Sequence, residues 1–442
     1  MTQASMRNLT LDAAVADAEA RFVAANPESQ ARYERATRSM PGANTRTVLH
    51  YDPFPVTLVK GEGAWVTDLD GHRYLDFLGE YTAGLYGHSE PAILDAIRGA
   101  LEGGLVLGGP NKYETRLAEL MCERFPAVDM VRFCNSGTEG NMMCLSLARA
   151  ITGRDLVMVF SGGYHGGLYS FAGGEPSPMN APIESVIAEY NDIDGATRLI
   201  AEHGPRLAAV ILEPMMGGGG CIPADREFLQ ALREATERTG TLLIFDEVMT
   251  SRLAPGGLHA LHGITPDLVS FGKYLGGGVT FGAFGGRMDL MARLDPRRPD
   301  ALTHSGTYNN NVLTMAAGQA GLEKVFTRER VIELNARGDR LRQRLQAAAD
   351  QRDVPLTVSG LGSMLCIHPT HRGPIRRPSD LAHVPYAARK LVHLELNMRG
   401  FQIARRGFMS LALPITDAEY DAFAGAFAEI LDEHAQVFRG AA

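Results

Sequence analysis

Lysine is scarce in this chain. Of 442 residues 43 are basic, yet only five are lysines, at positions 60, 112, 273, 324 and 390. Acids outnumber bases, the formal net charge is −8, and neither sign gathers into a long run. That excludes the basic footprint of a nucleic-acid or anionic-membrane binder. Cysteine is sparse too: Cys122, Cys134, Cys144, Cys221 and Cys366 are odd in number and show neither CxxC nor His/Cys ligand spacing. A disulfide framework is therefore not expected, and reduced thiols in a cytoplasm are. Apolar runs such as 207–216 are about half the ~20 residues that cross a bilayer. The opening residues, Met1 to Thr10, lack the apolar core of a signal peptide, so export is not expected. No strand pattern is followed by GxGxxG and no GxxxxGK[ST] occurs, which disfavours a dinucleotide or P-loop site. His165, His259, His262 and His304 show no HExxH-like pairing, which disfavours zinc.

What is present has an α/β rhythm. The length exceeds that of a single core, so a large domain with a smaller partner is expected. The runs 130–134, 156–160, 207–212, 241–245 and 267–271 are short, apolar and end in polar or glycine-rich clusters, and each reads as a strand buried on both faces. Residues 228–240 between two of them carry helical spacing and a glycine stop. Parallel pairing with helices on both faces follows, with sites at the carboxyl ends of the strands. Asp70-Gly71 marks a hairpin between 64–67 and 74–77. Beyond about residue 328 the pattern becomes a long helix (330–350), a strand pair, a helix near 380–396 and a last helix (417–438), a separate α+β lobe. The chain thus divides into 1–65, 66–328 and 329–442, with 372–379 as its best exposed loop.

Four strand ends carry chemistry. Lys273 is the only lysine that directly follows a buried-strand pattern; the other four sit where an ammonium stays in water. An amine so placed is desolvated, its pKa falls, and it can form an imine with a carbonyl. Asp246 is driven to the end of 241–245, where a buried carboxylate needs a cation; by itself it is an ion pair with an arginine or a helix cap. Ser136-x-x-Glu139 is by itself a capping box, but the same amides, hydroxyls and helix terminus seat a phosphate. Tyr164 and His165, in a run of glycines, are by themselves packing residues, and Tyr164 also offers a flat stacking face. The hydroxyl of Thr307 in the 304–310 turn is by itself a helix cap or an anion contact. A lysine, an acid, a phosphate seat and an aromatic shelf together suit pyridoxal 5′-phosphate.

Asn135-Ser136-Gly137-Thr138-Glu139, Gly163-Tyr164-His165-Gly166, Glu213-Pro214, Phe245-Asp246-Glu247-Val248, Gly272-Lys273 and Gly306-Thr307 stand in the order and approximate spacing of class III, fold-type I pyridoxal-phosphate aminotransferases, which the chain resembles over nearly its full length. The resemblance implies a large domain with a mostly parallel sheet of the seven-stranded type flanked by helices. It also implies a small α+β domain, to which 1–65 contributes along with the dimer interface. It makes Lys273 the Schiff-base residue, sets Asp246 on the pyridine nitrogen and Tyr164 and Val248 on the ring faces, and places Ser136, Gly137 and Thr138 on the phosphate. His165 and Glu213 join the cofactor's surroundings, and Thr307 reaches the phosphate from the second subunit of a homodimer.

Within that family, 40–44 and 360–364 resemble the glutamate-1-semialdehyde aminomutase branch. Pro41–Arg46, Glu80–Gly84, Asp246–Pro255 and Arg406-Gly-Phe408 resemble more closely the aminotransferases of aromatic β-amino acids such as β-phenylalanine. There, Arg46 would hold the substrate carboxylate and Arg406 would help to bind the other end of the amino donor or keto acid, with Arg405 competing for the role of Arg406. Two positions depart from the pattern: Met216 replaces a common glutamine and Gly140 a usual alanine. The expected reaction is ping-pong transamination from a carboxylate-bearing β-amino acid to a keto acid such as α-ketoglutarate or pyruvate. The alternative is an intramolecular amino exchange of the aminomutase kind.

Overall fold

The computed structural model describes residues 10–441, so the reading of residues 1–9 as no signal peptide lies outside it. Its strands are β1 (Leu58–Glu62), β2 (Trp65–Asp68), β3 (Arg73–Asp76), β4 (Met130–Cys134), β5 (Leu156–Phe160), β6 (Ser185–Ala188), β7 (Leu207–Leu212), the two-residue pair β8 (Met215–Met216) and β9 (Ile222–Pro223), β10 (Leu242–Asp246), β11 (Leu268–Gly272), β12 (Gly282–Gly286), β13 (Leu356–Leu361), β14 (Met364–Pro369), β15 (Phe401–Gln402) and β16 (Phe408–Ser410). Seven of them form the central sheet in the order β4-β12-β11-β10-β7-β5-β6. β10 runs parallel to β7 and β11, and β5 parallel to β6 and β7, whereas β12 is antiparallel to both neighbours.

Period-2 alternation explains the burial. Met158, Val210, Leu212, Leu243 and Phe245 face one core with helix Arg226–Thr239; Val157, Val159, Ile211, Leu242 and Ile244 face the other with helix Gly137–Thr152. A strand whose two faces both pack has no polar face, hence the continuous apolar runs. One expected feature fails: β4 is not buried on both faces. It is the edge strand, its Met130 exposed.

The hairpin β2–β3 forms as expected. Its sheet straddles residue 65 and gains a fourth, parallel strand from β15. After residue 327 come helix Arg328–Gln351, capped by Thr327, then the sheet β13-β14-β16, helix Tyr386–Met398 and helix Asp417–Gly440, started by a Thr416/Glu419 capping box. The 372–379 loop is only partly free, since Pro378 packs against Gly162 and Gly219. Lys390 is a second correction: it pairs with Glu19 at 11% side-chain exposure instead of standing in water. The other end of the lysine scale is Lys60, 66% exposed beside Glu62. No helix among the described residues is long and apolar enough to cross a membrane.

Candidate functional site

The turns after β4, β5, β7, β10 and β11 meet at one cavity of about 490 Å³. Ser136, Gly137, Thr138, Tyr164, Glu213, Asp246, Val248 and Lys273 all line it, as does Arg46 from the N-terminal segment. Five separate strand ends converge because a parallel sheet points its carboxyl ends to one rim.

Asp246 is 4% exposed and has no arginine or lysine partner among the described residues, so the ion-pair account of it fails. Its Oδ2 accepts Asn141 Nδ2–H at 2.7 Å and His165 Nδ1–H at 2.9 Å. Its Oδ1 accepts Val248 N–H at 3.1 Å, a local turn that gives the capping account partial support. Three N–H donors hold the carboxylate in place, but its burial with no arginine or lysine beside it is costly. A cationic ring nitrogen in the cavity would relieve it. His165 does not line the cavity; it stands behind Asp246 with Nε2 buried and unpartnered.

Lys273 begins the turn after β11 at φ 59°, the left-handed region that side chains with a Cβ rarely adopt. Burial pushes its ammonium pKa down, Glu80 pulls it back up, and Arg46 and Arg406 push it down further. An amine so depressed is a better nucleophile near neutrality.

Glu213 Oε1 accepts Tyr164 N–H at 3.2 Å and Oε2 accepts Gly217 N–H at 2.9 Å, tying the aromatic shelf to the turn after β7. Burial and the neighbouring Asp246 carboxylate push its pKa up to about 7. Its folded pKa thus exceeds the unfolded one, so its contribution to stability is fully present below about pH 4.5 and is lost as pH rises through about 7. In the cofactor-free protein, the stability gap between wild type and Glu213→Gln should fall by about 2–3 kcal/mol between pH 5 and pH 8. Urea melts at the two pH values measure it, and parallel pH profiles would contradict the shift.

At the other end, Ser136 Oγ accepts Glu139 N–H at 3.1 Å, the forward half of a capping box. Glu139 Oε2 reaches back to Asn135 N–H, one residue before the cap. The first-turn amides of Gly137 and Thr138 have no intrahelical acceptor, which leaves an anion seat. Glycine is required close by: a Cβ on Gly137 would lie 2.7 Å from Val248 Cγ2, and one on Gly166, at φ +110°, would collide with Thr138. A phosphorylated pyridine aldehyde fits this donor set: a helix start, an acid without an arginine or lysine partner and a desolvated amine share one cavity.

The arginines differ. Arg46 Nη2 is 2.5 Å from Glu80 Oε1, so its charge is engaged. Glu80 itself sits in a run of positive φ with Tyr81 and Thr82. Arg406 has no carboxylate partner among the described residues; its guanidinium carbon lies 5.4 Å from the ring centroids of both Tyr81 and Phe408. Arg405 instead lies over Tyr386 and lines, with Arg46, Glu80 and Tyr81, a second cavity of about 350 Å³; neither Arg405 nor Arg406 is in the wall of the first. Thr307 is outside the cavity, in a groove of about 820 Å³ with Leu105, Val106 and Leu107. It caps nothing, since Asn311 caps the helix Val312–Ala320. Sequence reasoning missed Asn141, Ser270 and Glu80. Asn141 carried a signal: a polar residue four positions after Gly137, on the helix face turned to the sheet.

The family model described as Aminotransferase class-III matches residues 48–431. The chain is 51% identical to beta-phenylalanine transaminase of Variovorax paradoxus over 97% of its own length and 98% of that protein's. It is 37% identical to glutamate-1-semialdehyde 2,1-aminomutase of Rhodopirellula baltica, covering 80% and 84%. In structure it is similar to the beta-phenylalanine aminotransferase of Variovorax paradoxus, with a TM-score of 0.95 over 96% of this chain and 98% of that one. An omega-transaminase from Sphaerobacter thermophilus, 37% identical, superposes with a TM-score of 0.86 over 92% and 97%.

Proposed function

This chain belongs to the class-III aminotransferase family, and from that membership we propose that it is a pyridoxal-phosphate transaminase of aromatic β-amino acids, with α-ketoglutarate or pyruvate as acceptor. The observation that carries the reading is the shared cavity of Lys273 and an Asp246 without an arginine or lysine partner, with the unpaired Arg406 close enough to act on the Lys273 amine. When bound, the coenzyme supplies an aldehyde conjugated to a protonated ring that accepts the electrons of a carbanion. Asp246 would hold the ring nitrogen, Tyr164 and Val248 the ring faces, and Ser136, Gly137 and Thr138 the phosphate. His165 and Glu213 fix Asp246 and Tyr164. Lys273 Nζ, when free, would take the proton from the amino-bearing substrate carbon and deliver it, across the amino nitrogen, to the coenzyme's aldehyde-derived carbon.

Arg406 is the first carboxylate receptor, because it needs no partner displaced; Arg46 must first give up Glu80. The chain would act as a homodimer, with the exposed strip Leu105–Val106–Leu107 buried by a second copy whose Thr307 completes the phosphate seat. Free thiols at all five cysteines support a cytoplasmic location. The division into 1–65, 66–328 and 329–442 places the site in the middle segment, with Arg46 and Arg406 supplied from either side. The aminomutase reading has the weaker match, 37% against 51% identity.

The test is a panel of α-, β- and ω-amino donors against the two keto acids. We expect β-phenylalanine to be the best donor and amino exchange to require the free keto acid; isomerisation without an acceptor would favour the aminomutase. In Arg406→Ala the KM for β-phenylalanine should rise about 10- to 100-fold, with a smaller rise in Arg46→Ala and little change for 1-phenylethylamine. Equal losses for both donors would remove these arginines from the carboxylate site.

A further inference from the structure

We propose that Asn141 and Ser270 are a positioning pair that aims the Asp246 carboxylate, and that Gly140 is the residue that lets this chain assemble it. The proposal rests on the cofactor reading above and assigns these residues no contact with substrate.

Ser270 stands beside Asp246 in the parallel register of β10 and β11. Its hydroxyl donates to Asn141 Oδ1 at 2.5 Å. That bond fixes which end of the amide faces where, so Nδ2–H points at Asp246 Oδ2 (2.7 Å) and the His165 carbonyl (3.2 Å). A flipped amide would set its oxygen against a carboxylate and a carbonyl, two repulsive contacts in a site where Asn141 is 1% and Ser270 0% exposed. With two donors on Oδ2, and on Oδ1 Val248 N–H at 3.1 Å and the Ser270 hydroxyl at 3.4 Å, whose single proton is committed to the shorter Asn141 bond, Oδ1 keeps capacity for one more proton donor.

Asn141 belongs to the helix whose first turn, Gly137–Thr138, forms the anion seat. One rigid helix therefore sets the spacing between the phosphate end of the cavity and its carboxylate end. The helix lies close enough to the sheet for this only because residue 140 lacks a side chain: a Cβ there would come 2.7 Å from the Ala283 carbonyl oxygen and 3.6 Å from Ser270 Cβ. The alanine usual in the resembled family would force the helix start off β11 and β12, and Asn141 is the next residue. Gly140 and the Asn141–Ser270 bond are thus one device.

The experiment compares coenzyme-loaded wild type with Ser270→Ala, Asn141→Ala and Gly140→Ala. It reads coenzyme release rate, visible absorption maximum, and kcat and KM for β-phenylalanine. A hydrogen bond to a charged group sets the expected scale: kcat about 10- to 100-fold lower in Asn141→Ala with KM within about twofold, faster coenzyme release and a displaced absorption band. The other two variants should shift the same readouts in the same direction by smaller factors. Wild-type release rates and spectra in the variants, whatever their melting temperatures, would overturn the proposal. If Asn141→Ala does not fold, Ser270→Ala, which removes one oxygen atom, decides by the same readouts. A wild type that transaminates no donor would sink the functional reading instead, and the release rates would still decide this one.

Discussion

Lys273→Ala should keep the coenzyme yet transaminate at least about 10⁴-fold more slowly than wild type. The backbone makes this a clean substitution. Lys273 sits at φ 59°, where any residue with a Cβ is strained, and alanine carries the same Cβ, so the strain cancels and only the amine is lost. No other lysine can replace it: Lys60 is held at the surface by Glu62, Lys390 is tied to Glu19, Lys112 lies 5.0 Å from the Tyr113 ring centroid, and Lys324 is exposed. Coenzyme binding survives because the helix start at Ser136–Thr138 and the Asp246 carboxylate are untouched. Turnover with the donor panel and the absorption spectrum of the purified variant measure both halves. Residual turnover near the wild-type rate would end the assignment of Lys273, and colourless protein after loading would show that the anion seat does not hold the coenzyme alone.

Much of this site was legible because its parts are short-range. A strand buried on both faces writes itself as a run of apolar residues, so β5, β7, β10 and β11 were readable, and with them the ends that deliver Tyr164, Glu213, Asp246 and Lys273. β12 was not, since Gly282-Ala-Phe-Gly-Gly286 has the composition of a loop. It is a strand because its glycines admit neighbouring backbone, a Cβ on Gly285 lying 2.6 Å from the Met130 carbonyl oxygen. Asn141 was missed for a different reason. Its partners Asp246 and Ser270 are 105 and 129 residues away, and no local pattern records such a pairing. The choice between Arg405 and Arg406 was equally closed to sequence, because it turns on which side of a two-residue turn faces Tyr81 and which faces Tyr386.

Asp246→Asn should lower kcat about 10³-fold while leaving the KM for β-phenylalanine nearly unchanged. The carboxylate accepts three N–H donors, two on Oδ2 and one on Oδ1. An amide has only one accepting end, so asparagine must turn an NH₂ toward at least one of those donors and also removes the negative charge that would keep a ring nitrogen protonated. Donor binding is spared because Arg406, which lies against Tyr81 and Phe408, makes no ion pair with Asp246. A second readout separates charge from shape. In the cofactor-free protein the Asp246 carboxylate is buried with His165, but no arginine or lysine, beside it, and the coenzyme would bring a further, cationic partner. Loading should therefore raise the melting temperature of wild type more than that of Asp246→Asn. Equal increments, or a variant kcat within tenfold of wild type, would mean that the cavity compensates this carboxylate by some route other than the coenzyme's ring.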